Sequence, residues 1–240
     1  MSGLSAATGK DHRRRYRVFL ISALCAIVVW GSAALSPAHT RHLTDATDER
    51  ATAHEVAFSH TQPMRKALSA HGLKNELCPD LNDPASVAPL RIEQQAIAAT
   101  CVIERAGFAL VQGHTMKTHA QDSGAQCMWV TREGKAVEPA QQATFNNLSE
   151  GMWVCTGVES IWAQRGGTAY GNTFLTPMSR KEFLQRASTT QLMEHEYQHY
   201  LQWTLLGDKF ATLYALAGSN PCNNVFERTA NLDDGGYSCS

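Results

Sequence analysis

The segment His195-Glu196-Tyr197-Gln198-His199 constrains this chain more than any other. It lies in a run from Ser179 to Leu206 whose apolar residues recur with a helical period. On a helix, residues four apart lie one turn apart on one face, so both imidazoles can reach a single zinc ion. Glu196 sits beside them, placed to take a proton from a water instead of ligating the metal. Catalytic zinc keeps three protein ligands and one open position, so a third ligand is needed. Glu227 is the candidate, 28 residues after His199; apolar residues precede it and Ala230 follows, which suits a helix pressed closely against the first. Asp233 and Asp234 compete but stand beside Gly235-Gly236, and nothing links the competing imidazoles of His114 and His119 to the segment. The plainer readings are two histidines packed on a helix and Glu227 as a surface ion-pair partner.

The rest of the chain sets the compartment. Of its 21 Lys+Arg and 22 Asp+Glu, five and one fall in residues 1–17, ahead of an uncharged apolar run from Val18 to Leu35. That run falls between a signal-peptide core of about 7–15 residues and a membrane span of about 20. The basic flank places residues 1–17 in the cytoplasm. The expected organisation is a basic segment at 1–17, a signal anchor or signal peptide at 18–38, a stalk or linker at 39–75 and an exported domain at 76–240. Residues 39–240 carry 16 basic and 21 acidic groups, and the whole chain carries a net charge of -1. No basic footprint for nucleic acid exists. His39, His42 and His54 in the linker show no ligand spacing.

Cys25 lies in the apolar run and six further cysteines follow it. An even count in an exported domain reads as disulfides, with fifteen pairings open. Their clustering favours Cys78–Cys101, Cys127–Cys155 and Cys222–Cys239. Periodicity predicts a helix from Pro89 to Ala106, then strands at Phe108–Val111, Cys127–Thr131 and Met152–Val158, with a hairpin turn at Arg132-Glu133-Gly134-Lys135. A glycine-flanked strand follows between Gly166 and Pro177. Ser179 and Glu182 form a capping box for the helix that runs toward Leu206, with a break near Ser188-Thr189-Thr190. Helices at Phe210–Ala217 and Asn224–Leu232 complete an α+β domain.

HEYQH together with Phe226-Glu227-Arg228-Thr229-Ala230-Asn231 resembles the gluzincin branch of the zincin-like zinc metallopeptidases, in which a Glu on a second helix is the third ligand. The order GGTAYGNTFLTP, HEYQH helix, then LLG is similar to small uncharacterised bacterial members; the resemblance covers residues 150–240 and extends toward 78. It implies a zincin-like domain with a small β-sheet, an HExxH active-site helix and a glutamate-bearing helix. His195, His199 and Glu227 match the ligand positions for Zn2+, and Glu196 matches the general base. Asn231 stands where such helices carry a side chain that orients a ligand. The strand with Tyr170, Asn172 and Phe174 matches the edge that holds the substrate backbone. Members also use a His or Tyr against the oxyanion. Tyr237 is the nearest candidate by sequence, followed by Tyr214 and Tyr197. The expectation is an exported, membrane-anchored metallopeptidase acting on peptide or protein substrates, with its C-terminal domain outside the cell membrane, or secreted if the apolar segment is cleaved. The alternative is a non-catalytic zinc-binding or disulfide-stapled extracellular interaction protein on the same scaffold.

Overall fold

Apolar residues at every third or fourth position, from Ala98 through Val102, Ala106, Ala109, Gly113 and Met116 to Ala120, make one buried stripe along a 31-residue helix. The computed structural model that contains it describes residues 61–81, 83–137, 151–186 and 189–239. The expected basic segment, the apolar segment at 18–38 and most of the expected linker lie outside the described residues.

Helix α1 (Gln62–Leu68) comes first, then a short α2 (Pro84–Val87) and the long α3 (Ile92–Asp122). Strands β1 (Gln126–Thr131), β2 (Ala136–Val137), β3 (Gly151–Thr156), β4 (Thr168–Tyr170) and β5 (Thr173–Leu175) follow. Helices α4 (Arg180–Gln185), α5 (Thr189–Leu206), α6 (Lys209–Leu216) and α7 (Val225–Thr229) end the described chain. The result is an α+β domain with a five-stranded sheet in the order β2-β1-β3-β5-β4, antiparallel except where β3 runs parallel to β5.

Alternation of side chains across the pleat builds two packed faces. Met128, Val130, Met152, Val154 and Phe174 face Leu192 and Met193 of α5. Cys155 and Leu175 face Met116 and Ala120 of α3, and Lys117 of α3 stands over the Trp153 ring at 3.8 Å. The sheet is therefore sandwiched between α3 and α5. Beyond its β4 end the two helices meet in a cluster around Ala109, Tyr197, Tyr200 and Trp203, which α1 joins through Met64 and Leu68. The packed body thus reaches back to α1, ahead of the boundary expected at residue 76.

The expected strand at Phe108–Val111 is helical, and α3 runs straight through it. Gly107 and Gly113 look like breakers in sequence, but a Cβ at Gly113 would collide with the Asn172 side chain, so that glycine is a packing device. Where one strand is expected between Gly166 and Pro177, the chain forms the β4–β5 hairpin around Gly171-Asn172. Gly171 has φ 55°, and a Cβ there would strike the Ala109 carbonyl of α3. Three further expectations rest on local chemistry and match the structure. Ser179 and Glu182 form the capping box, with Glu182 N–H donating to Ser179 Oγ at 3.2 Å and Ser179 N–H to Glu182 Oε2 at 2.9 Å. The turn after β1 brings Thr131 N–H to Lys135 C=O at 2.9 Å. The disulfides are Cys78–Cys101, Cys127–Cys155 and Cys222–Cys239.

Among the described residues α3 is the one helix long and apolar enough to cross a membrane by length and composition, but its stripe packs against the sheet and α5. The two glycines of interest in α3 and its contact should respond oppositely to alanine. Gly171→Ala is expected to lower the urea-unfolding free energy by about 2 kcal/mol or more, because φ is positive and no space exists. Gly107→Ala, in open space within the helix, should raise it by about 0.5–1 kcal/mol.

Candidate metal centre

The site begins with what holds α5 still. Arg132, in the β1–β2 turn, grips Glu194 through two hydrogen bonds of 3.0 and 2.6 Å and stacks over the Tyr197 ring at 4.6 Å. A two-point grip of this kind fixes direction as well as distance. Gln198 donates to the same carboxylate at 2.8 Å. The next residue, His195, and His199 one turn later are turned from the sheet toward α7.

The second helix is short, and its start is set by Asn224. That side chain accepts from Phe226 N–H at 2.9 Å and donates to the Gly218 and Tyr214 carbonyls at 2.8 and 3.3 Å. These bonds tie the beginning of α7 to the end of α6, and the Cys222–Cys239 bridge closes the loop around it. A loop of that length contributes about 3 kcal/mol of stability in the chain-entropy account.

Three ligand atoms converge between the helices. His195 Nε2 lies 3.1 Å from Glu227 Oε2 and 3.2 Å from His199 Nε2, and His199 Nε2 lies 3.5 Å from Glu227 Oε2. All three side chains are buried, at 1%, 6% and 4% exposure for His195, His199 and Glu227. The far nitrogen of each ring is accounted for. His195 Nδ1 meets the carbonyls of Asn231 at 2.8 Å and Ala230 at 3.1 Å, which can only accept, so it carries a hydrogen. His199 Nδ1 meets Gln202 Oε1 at 2.8 Å. Both Nε2 atoms are thereby aimed at one point, as neutral metal-ligating imidazoles are. Glu227 is divided likewise: Tyr214 Oη of α6 donates to Oε1, leaving Oε2 for the centre. A group of two imidazoles and one carboxylate this close can hold a metal ion.

The charges buried in the cluster answer one another. Burial works against charge on His195, yet its bond to Glu227 and the nearby Glu196 and Glu227 carboxylates push its pKa up to about 9. Burial also opposes charge on Glu227, but its contacts with the His195 and His199 rings and the hydrogen bond from Tyr214 hold it well below the ordinary carboxylate range. Burial drives Glu196 upward. Its Oε2 is buried with no hydrogen-bond partner. Burial and the Glu227 charge push the Tyr214 phenol up, which keeps it a donor.

Several expected roles move. Asn231 orients a ligand through its backbone carbonyl, presented by a positive φ of 75°; its side chain donates instead to Asp234 at 2.6 Å. The segment from Tyr170 to Leu175 is divided between an edge and the interior of the sheet. Strand β5 is interior to the sheet, Phe174 is 1% exposed in the core and Asn172 is buried in the hairpin turn. Strand β4, which ends at Tyr170, is one of the two edges of the sheet, and the Trp203 indole of α5 donates to its Ala169 carbonyl at 3.1 Å. Among the tyrosines, Tyr237 packs its ring on His195 at 5.8 Å, Tyr214 is engaged with Glu227, and Tyr197 lies beneath Arg132. Asp233, Asp234, His114 and His119 do not join the cluster. Gln202 and the donor role of Tyr214 are absent from the motif reading. For Gln202 the available signal is spacing, because three residues beyond His199 is the same helical face.

If these atoms hold an ion, Glu227→Ala should lower the affinity for added Zn2+ by more than about 100-fold, beyond the 10–100-fold typical of losing only a ligand's hydrogen-bond partner. Tyr214→Phe should fall within that 10–100-fold range; calorimetric titration of both variants measures it. No protein-family model, no curated protein and no solved structure matches this chain.

Proposed function

We propose that this chain is an exported zinc-dependent metallopeptidase that hydrolyses peptide bonds with an activated water. One observation carries the reading: three converging ligand atoms stand beside the buried Glu196 carboxylate, whose Oε2 has no hydrogen-bond partner. A buried oxygen left without a donor is costly. A water entering the centre supplies that donor.

The donor set suits zinc, since two imidazoles and one carboxylate are a ligand set of catalytic zinc sites with an open fourth position. His195, His199 and Glu227 would hold such an ion, which when bound would supply Lewis acidity, lowering the pKa of a water and polarising a scissile carbonyl. Glu196 takes the proton of the attacking water on its carboxylate and passes it to the departing amine nitrogen. Burial, which favours the protonated carboxyl, suits Glu196 to hold that proton between the two transfers. Tyr214 and the carbonyls of Ala230 and Asn231 keep Glu227 and His195 from turning away. Export follows from the three disulfides, which suit an oxidising compartment, and from the apolar segment at 18–38 read as an anchor.

A non-catalytic metal site is the second reading, favoured by the packing of Gly235 and Tyr237 directly on His195. A Cβ built on Gly235 would stand 2.7 Å from His195 Cε1 and 2.9 Å from Nε2. Such closeness suits a closed, structural site. The two readings separate on Glu196→Gln, assayed on the full chain with a denatured protein as substrate. The peptidase reading expects that variant to keep about one zinc per chain and lose at least about 100-fold in hydrolysis. Hydrolysis at the wild-type rate in Glu196→Gln would sink the mechanism. A wild type that holds zinc and cleaves nothing selects the structural site.

A further inference from the structure

Gln202 belongs to no motif, yet it is 0% exposed and sits between both ligand-bearing helices. Its amide nitrogen donates to the Phe226 carbonyl at 2.8 Å and to the Thr229 hydroxyl at 2.9 Å. A carbonyl only accepts, so these contacts decide which end of the amide is nitrogen. The amide oxygen is therefore the atom that meets His199 Nδ1 at 2.8 Å. An amide oxygen donates nothing, so Nδ1 carries the hydrogen and Nε2 is left with its lone pair.

Resting on the reading of His195, His199 and Glu227 as metal ligands, we propose that Gln202 is the positioning residue of the centre. It fixes the tautomer and ring angle of His199 and, through the Phe226 carbonyl, the register of the helix that carries Glu227. Phe226 immediately precedes Glu227, so any shift of that carbonyl moves the carboxylate with it. One amide thus sets two of the three ligands relative to each other. His195 is held separately, by the Ala230 and Asn231 carbonyls. Thr229 completes the clamp, passing its own hydrogen to the Val225 carbonyl at 2.9 Å while it accepts from Gln202.

Packing alone and positioning make different demands on this site. Leu has similar volume and no hydrogen bond, whereas Glu keeps the acceptor for His199 Nδ1–H. The full chain and its Gln202→Leu and Gln202→Glu variants are titrated with Zn2+ alone and with Co2+ alone, and followed by histidine-selective NMR. In the wild type His199 should show a slowly exchanging Nδ1 proton. In Gln202→Leu that signal is lost, zinc affinity falls about 10–100-fold and the visible bands of bound Co2+ shift, with far-UV circular dichroism unchanged. Gln202→Glu, which keeps the acceptor but turns its second carboxylate oxygen toward the Phe226 carbonyl, recovers the Nδ1 proton and only part of the affinity. Wild-type affinity and unshifted Co2+ bands in Gln202→Leu overturn the proposal alone, as does equal weakening of both variants in step with their thermal stability. A wild type that holds neither ion overturns the metal reading and this proposal with it. Where the leucine variant does not fold, the wild-type spectrum still decides, because a His199 hydrogen on Nε2 overturns the assignment.

Discussion

Two carboxylates, Glu196 and Glu227, are buried within reach of the same pair of histidines, and the surrounding structure is arranged around that fact. Removing a charged carboxylate from water costs several kcal/mol after relaxation unless a counter-charge and hydrogen bonds replace the solvent. Glu227 receives both from Tyr214 and the histidines, while Glu196 keeps an oxygen with no partner. A divalent cation held by neutral imidazoles would balance the two negative charges. The second proton that His195 otherwise holds toward Glu227 occupies the same place.

Rigidity in this centre comes from layers of ordinary packing. The sheet presents one face to α5 and the other to α3, so α5 is fixed along its length before its ligands are considered. Arg132 then sets its rotation through Glu194 and Tyr197, and the aromatic cluster of Trp203, Phe210 and Phe226 locks α6 and α7 against it. On a scaffold of that kind, packing and hydrogen bonds preorganise two rings and a carboxylate. The disulfide between Cys222 and Cys239 keeps the last turn of chain, with Gly235 and Tyr237, against the His195 ring.

What was legible in the sequence was local. His195 and His199 are four residues apart on a run with helical period, the Ser179–Glu182 box needs only its own four residues, and the cysteines pair with their neighbours along the chain. What was illegible depended on partners far away in sequence. Phe108–Val111 carries an apolar run compatible with strand or helix, and Ala109 is helical because its stripe packs on α5. The β4–β5 hairpin exists because Gly171 must come within contact of α3. Asn231 carries the right kind of side chain, but the positive φ at that residue presents its carbonyl instead.

By itself, then, the sequence determined the two imidazoles, the adjacent acid and the α+β composition, and favoured the three cross-links, because each follows from residue type and spacing within a few turns of chain. Glu227 was a candidate in the sequence, but tertiary structure decided that it, and not Asp233 or Asp234, joins the two imidazoles, that Tyr214 and Gln202 hold the group's members, and that β4 lies at an edge of the sheet. Those are relations between atoms tens of residues apart. They are set by how α5, α6 and α7 pack, and no spacing rule along a single helix contains that information.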